Sequence, residues 1–119
     1  MEFLDKDLVS IQETRGLIRK AKEAQSKLAR MSQQDIDRIV KAISDAAYEN
    51  SEKLAKMANE ETGFGKWEDK VLKNVFAART VYESIKDTKT VGIVEENVEK
   101  RAFKIMVPVG VVAGLIPST

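Results

Sequence analysis

The sequence predicts an α/β protein: about four helices, an antiparallel hairpin, then one strand buried on both faces. Three observations carry this. Up to residue 87 the apolar residues recur in threes and fours, the spacing of helix faces. Between 88 and 108 the period changes to loose alternation around a short polar stretch, as in a hairpin. The last run, Val107-Pro108-Val109-Gly110-Val111-Val112-Ala113-Gly114-Leu115-Ile116-Pro117-Ser118-Thr119, is apolar without alternation, as in a parallel strand covered by helices. A parallel strand needs a crossover and a neighbour. Neither follows Thr119, so the expectation is the front part of a larger fold. The chain then divides into a helical part (1–87), a hairpin (88–108) and an incomplete first strand with its exit loop (109–119).

In the first helix, expected from about Asp5 to Arg30, Leu17, Ala21, Ala24, Leu28 and Met31 make one stripe. Leu4, Leu8, Ile11 and Ile18 make a second. Gly16 costs about 1 kcal/mol relative to alanine and marks a break or a close contact. Ser32, three residues before Asp35, starts a second helix in the manner of a capping box. Its face is Ile36, Ile39, Val40, Ile43, Ala46 and Ala47. Asn50-Ser51 is the next N-cap candidate. Leu54, Ala55, Met57 and Ala58 face inward on a third helix, which ends at Gly63 as a C-cap glycine. A fourth helix follows from about Lys66 to Lys86. Trp67, Val71, Val75, Ala78, Tyr82 and Ile85 line it, with Leu72 and Phe76 widening the face. Val91–Val94 and Val98–Val107 read as the hairpin strands, with Glu95-Glu96-Asn97 as the turn. Pro108 cannot donate to a ladder and ends the second strand.

Composition excludes several classes of function. Of 119 residues, 43% are hydrophobic and 33% charged, as in a soluble globular protein. Lys+Arg 20 against Asp+Glu 19 leaves +1, without the excess of basic charge that a nucleic-acid partner requires. There is no Cys and no His. Thiolate catalysis, Cys/His metal sites and histidine general base chemistry therefore have no residue here to perform them. No apolar run reaches a membrane span, and the acidic start Met1-Glu2-Phe3-Leu4-Asp5 is unlike a signal peptide, so a cytoplasmic protein is expected. Gly63-Phe64-Gly65 lacks the strand and the Gly-Lys-Ser/Thr spacing of a phosphate loop and reads as a helix-to-helix turn. Glu68 and Asp69 are adjacent and do not face each other, so they suit the helix dipole rather than acid/base work. With no catalytic cluster in view, the residues alone also fit a non-enzymatic helical interaction or oligomerisation module.

Three stretches then carry a resemblance. Glu61-Thr62-Gly63-Phe64-Gly65, Glu68-Asp69-Lys70-Val71 with Lys73-Asn74, and Pro108 through Thr119 resemble the aldehyde dehydrogenase superfamily. The resemblance is to its CoA-acylating branch, the acetylating acetaldehyde dehydrogenases and the N-terminal half of bifunctional aldehyde-alcohol dehydrogenases. The Ile-Pro-Ser-Thr ending is characteristic of that branch, where more general members have Thr-Pro-Trp. The resemblance implies an N-terminal fragment of the aldehyde dehydrogenase fold. It implies a hairpin that serves as an oligomerisation arm in a homo-oligomer, and a last strand that opens an NAD-binding sheet. It further implies that Ile116, Pro117, Ser118 and Thr119 line the NAD cofactor; the family binds NAD without the GxGxxG fingerprint, which is missing here too. The implied reaction takes an aldehyde, CoA and NAD+ to an acyl-CoA and NADH through a cysteine thioester. Its oxyanion asparagine follows the motif ending at Thr119 and its cysteine lies further on. The resemblance thus places no catalytic or metal-binding residue within these 119, and the chain alone is expected to be inactive.

Overall fold

The structure, a computed structural model, describes residues 5–117; Leu4 of the second stripe, and Ser118 and Thr119 of the terminal loop, lie outside them. In chain order the elements are α1 (Lys6–Leu28), α2 (Gln33–Glu49), α3 (Ser51–Thr62), α4 (Trp67–Val75), a π turn (Phe76–Thr80), α5 (Val81–Ile85), β1 (Gly92–Asn97) and β2 (Ala102–Met106). No helix among the described residues is long and apolar enough to cross a membrane.

Helix ends follow local chemistry. Asp5 opens α1, its carboxylate accepting from the amides of Asp7 at 2.9 Å and Leu8 at 3.3 Å. Ser32 and Asp35 form the capping box at α2, each side chain bonded to the other's backbone amide. Gly63 closes α3 at φ +67°, a left-handed position that a Cβ makes costly. Asn50 departs from expectation. Its side chain makes no cap bond to α3 but donates back to Ala46 O at 2.9 Å, closing α2. Gly16 marks neither a break nor a contact: α1 runs through it, and a Cβ built there would meet nothing within 4 Å.

The fourth helix is not regular. Between α4 and α5 the backbone widens for one turn, with the Val81 amide donating to Phe76 O. The extra residue shifts the helical phase. Ala78 is left buried at the α2 crossing, while Leu72 and Phe76 face solvent instead of widening the apolar face. The Ser44 hydroxyl, itself buried, donates to Ala78 O at 2.6 Å and ties α2 to this turn.

The core lies where α2, α3 and the α4–α5 column meet. Its most buried residues are small: Ala55 is fully buried, and Ala78, Ser44 and Ser51 nearly so. Small side chains at a crossing let helix axes approach closely. Asn74 donates to Ser51 O at 2.9 Å, and Arg79 bonds Asp45 at 2.8 Å while its guanidinium lies 4.3 Å from the centre of the Tyr48 ring. Elsewhere the chain is open. Its accessible surface is 10511 Å², against about 6,450 Å² for a compact protein of this mass. α1 has no buried residue.

β1 and β2 pair antiparallel from Gly92↔Met106 to Asn97↔Ala102, with a bulge between Ile93 and Glu95. The turn lies at 98–101, not at Glu95-Glu96-Asn97. Asn97 fixes it by accepting from the Lys100 amide at 2.8 Å, and Arg101 takes a left-handed φ of 47°. Both faces of this hairpin are solvated, so the polar residues Glu95 and Glu96 are as suited to strand as to turn. Gln33 anchors the approach: its side-chain oxygen accepts from the amides of Thr90 at 2.7 Å and Val91 at 3.0 Å.

The run from 107 to 117 joins no ladder among the described residues and is exposed throughout, Leu115 completely and Ile116 at 90%. The expected doubly buried strand is not formed. A strand exists through its ladder partners, and no other described segment pairs with these residues.

Candidate functional site

The three stretches that carry the family resemblance come together in space. The last helical turns of α3 and the face of α4 enclose a cleft of about 300 Å³, and Ile116 and Pro117 lie across it. Glu61 and Thr62 come from the first stretch, Lys70, Lys73 and Asn74 from the second, Ile116 and Pro117 from the third. An adjoining opening is lined by Glu61, Thr62, Phe64, Ile116 and Pro117.

Each wall is fixed by local bonding. The Thr62 hydroxyl donates to Ala58 O at 2.7 Å and accepts from the Phe64 amide at 3.2 Å. Asn59 donates through its side-chain amide to both Phe64 O at 3.1 Å and Gly65 O at 2.9 Å. Gly63 and Gly65 each sit at φ +67°, so the chain reverses within one residue on either side of Phe64. The stem of Lys70 passes Gly65, with its Cε 3.8 Å from where a Cβ would stand. At the opposite end of the turn the Lys56 ammonium lies 4.5 Å from the centre of the Trp67 ring.

The lining is mixed. Leu54, Ala55, Ala58, Ile116 and Pro117 are apolar; Thr62 and Asn74 supply dipoles; Lys70, Lys73 and Glu61 supply charge. Such a cleft can hold a molecule with both flat apolar and anionic parts, and its described lining includes no cysteine or histidine. Among the described residues no group of carboxylates, cysteines or histidines is placed to hold a metal ion.

The displaced ionisations lie outside the cleft and have structural causes. Asp45 is held below the usual carboxylate value by its bonds to Lys41 and Arg79; Lys41 is raised by the same Asp45 bond. Asp35 is lowered by the capping bonds to Ser32, and Lys86 is raised by Glu83. Glu68 and Asp69 are exposed in the first turn of α4, where the helix dipole favours them.

Of the four residues expected to line a cofactor, Ile116 and Pro117 flank this cleft; Ser118 and Thr119 lie outside the described residues. Sequence reasoning missed Asn59 and Ser44. Both are poor helix formers set inside helices, which is itself a signal that their side chains bond elsewhere.

The model of the aldehyde dehydrogenase family matches residues 8–117. The chain is 46% identical over 111 residues to the succinate-semialdehyde dehydrogenase (acetylating) of Clostridium kluyveri, covering 93% of this chain and 24% of that protein. It is 37% identical over 112 residues to the bifunctional aldehyde-alcohol dehydrogenase of Escherichia coli, covering 94% of this chain and 13% of that one. Among solved structures, a probable aldehyde dehydrogenase from Listeria monocytogenes superposes with a TM-score of 0.94 at 64% identity, over 97% of this chain and 25% of the other. An acetylating aldehyde dehydrogenase from Geobacillus thermoglucosidasius superposes with a TM-score of 0.84 at 53% identity, over 87% of this chain and 23% of the other. The chain thus spans a quarter or less of each relative, and it belongs to the aldehyde dehydrogenase family.

Proposed function

We propose that this chain is one segment of a CoA-acylating, NAD-dependent aldehyde dehydrogenase, converting an aldehyde, CoA and NAD+ to an acyl-CoA and NADH. The observation that carries it is the meeting of three separate motif stretches at the cleft between α3, α4 and Ile116-Pro117. The names of the relatives, acetylating enzymes among them, give the branch.

The cleft suits a dinucleotide in kind. Ile116 and Pro117 offer an apolar wall, and Lys70 and Lys73 stand across from it. In this reading Ile116, Pro117, Ser118 and Thr119 exclude water along one side of NAD, Asn74 ties α4 to α3 through Ser51 O, and Thr62 braces the end of α3 against Phe64. When bound, NAD+ accepts the hydride that leaves the substrate carbon. The nucleophilic thiol comes from beyond these 119 residues, which include no cysteine. The hairpin, with Ile93, Phe103 and Ile105 more than half exposed, is the part that joins a second subunit's sheet. Soluble co-substrates and an evenly charged surface suit a cytoplasmic homo-oligomer.

The test uses a chimera in which residues 1–119 replace the matching segment of the Geobacillus acetylating enzyme. NADH formation from acetaldehyde, CoA and NAD+ is expected from the chimera and not from the 119-residue chain. An inactive but folded chimera, or turnover by the short chain, contradicts the proposal.

The exposed hairpin also favours a second reading, a helical module that only associates. Under it the short chain forms a defined oligomer in sedimentation, and the folded chimera gives no NADH.

A further inference from the structure

We propose that the Gln33 side chain is a clasp that orients the β1–β2 hairpin on the helical column, and so is the positioning residue for pairing of that arm with a second copy of the chain. This deepens the arm reading above and rests on it.

Among the described residues β1 and β2 lie against each other and against no helix. The segment that enters the hairpin, residues 86–91, is where it is tied to the column. This connector runs outside any helix or strand. Its Thr88 and Thr90 lie along the groove between α2 and α5, beside Ile36, Tyr82 and Ile85. There the half-buried Gln33, at the start of α2, uses its whole bonding capacity. Its Oε1 accepts from the amides of Thr90 at 2.7 Å and Val91 at 3.0 Å. Its Nε2 donates to Thr90 Oγ1 at 3.1 Å and to Asp37 Oδ1 at 2.7 Å. Turned over, the carboxamide would set its own N–H groups against two backbone N–H groups, so the network admits one orientation. Asp37, one turn further along α2, holds the carboxamide in it. A strand pairs with another only where its amides and carbonyls meet in register. An arm that swings freely loses that freedom on association and binds more weakly; a clasped arm is already ordered.

The experiment compares Q33A, Q33E, Q33E/D37N and a form with residues 93–105 replaced by a Gly-Ser linker, all in the active Geobacillus chimera carrying residues 1–119. The readouts are the subunit dissociation constant by sedimentation and hydrogen exchange at the Thr90 and Val91 amides. Q33A is expected to raise the dissociation constant about tenfold or more and to speed exchange at both amides. Q33E sets a second carboxylate beside Asp37 and should also weaken association. Q33E/D37N exchanges donor for acceptor and should return the constant to within about threefold of the parent. If Q33A speeds exchange but leaves association unchanged, Gln33 is a local tie only and the inference falls. A constant that stays raised in the folded double variant also overturns it. The linker form separates the two readings. A raised constant there beside an unchanged one in Q33A leaves the arm and removes the clasp. An unchanged constant in the linker form overturns the arm reading, and the clasp with it. Should Q33A fail to fold, Q33E and Q33E/D37N decide.

Discussion

The α2–α5 column and α1 are both amphipathic helical segments of the same chain, yet only one closes a core within it. Ala55, Ala78, Ser44 and Ser51 are buried between α2, α3 and the α4–α5 column, whereas α1 buries no residue and leaves Leu17 at 68% exposure. The hairpin and the terminal run side with α1. The difference is in partners as well as in pattern, for the apolar and polar sides of α1 are less sharply separated than those of α2. An apolar stripe is stabilising only when a second surface removes it from water. α2, α3 and α4 find each other within 50 or so residues of chain, while among the described residues α1 shares an open groove with Gly110, Val111 and Val112.

The largest effect should come from disturbing the closed region. Ala55→Leu forces extra volume into a fully buried crossing and should cost about 1–3 kcal/mol, read as a lower urea midpoint. A neutral result would mean that the column is as loosely packed as α1. Ser44→Val removes the buried bond to Ala78 O and should cost about 1–2 kcal/mol through the carbonyl left without that donor. Faster amide exchange confined to 76–81 would mark the π turn as dependent on it.

Acid should act next, and on the column's ion pairs. Asp45 and Asp35 are lowered in the folded chain. Their contribution is therefore present above the ordinary carboxylate pKa of about 3.9 and is lost as pH falls through their depressed values. Melting temperature should drop below pH about 4, with a shallower slope in Asp45→Asn. Lys41 and Lys86 are raised, so their contribution holds below about pH 10.4 and fades above that. An identical acid slope in Asp45→Asn would remove Asp45 from the account.

The smallest effect belongs to the open region. Leu17→Ser on α1 should change stability of this chain by less than about 0.5 kcal/mol. A loss equal to that of Ala55→Leu would erase the contrast between the two regions.

Much of this was legible beforehand. The Ser32–Asp35 box, the Gly63 cap and the helical order are short-range matters, decided by groups within a few residues of one another. Where expectation failed, the missing information was long-range. The π turn is held by Ser44, 34 residues away, and periodicity carries no trace of it. The hairpin turn moved to 98–101 because both faces are solvated, which removes the contrast that marks strand from turn. The site divides in the same way: motif resemblance singled out Ile116 and Pro117, but not Asn59, whose role depends on the carbonyls it reaches.

By itself the sequence determined the helices, their caps, the existence of a hairpin and the family, because these rest on local bonding and on motif residues in fixed order. Only the tertiary structure decided which apolar faces are covered, where the helix widens, and that three distant motifs share one cleft. Burial and convergence are properties of surfaces meeting in space. The run from Val107 shows the limit: its apolar residues are suited to a sheet interior, but a strand forms only where a neighbour's amides and carbonyls complete the ladder.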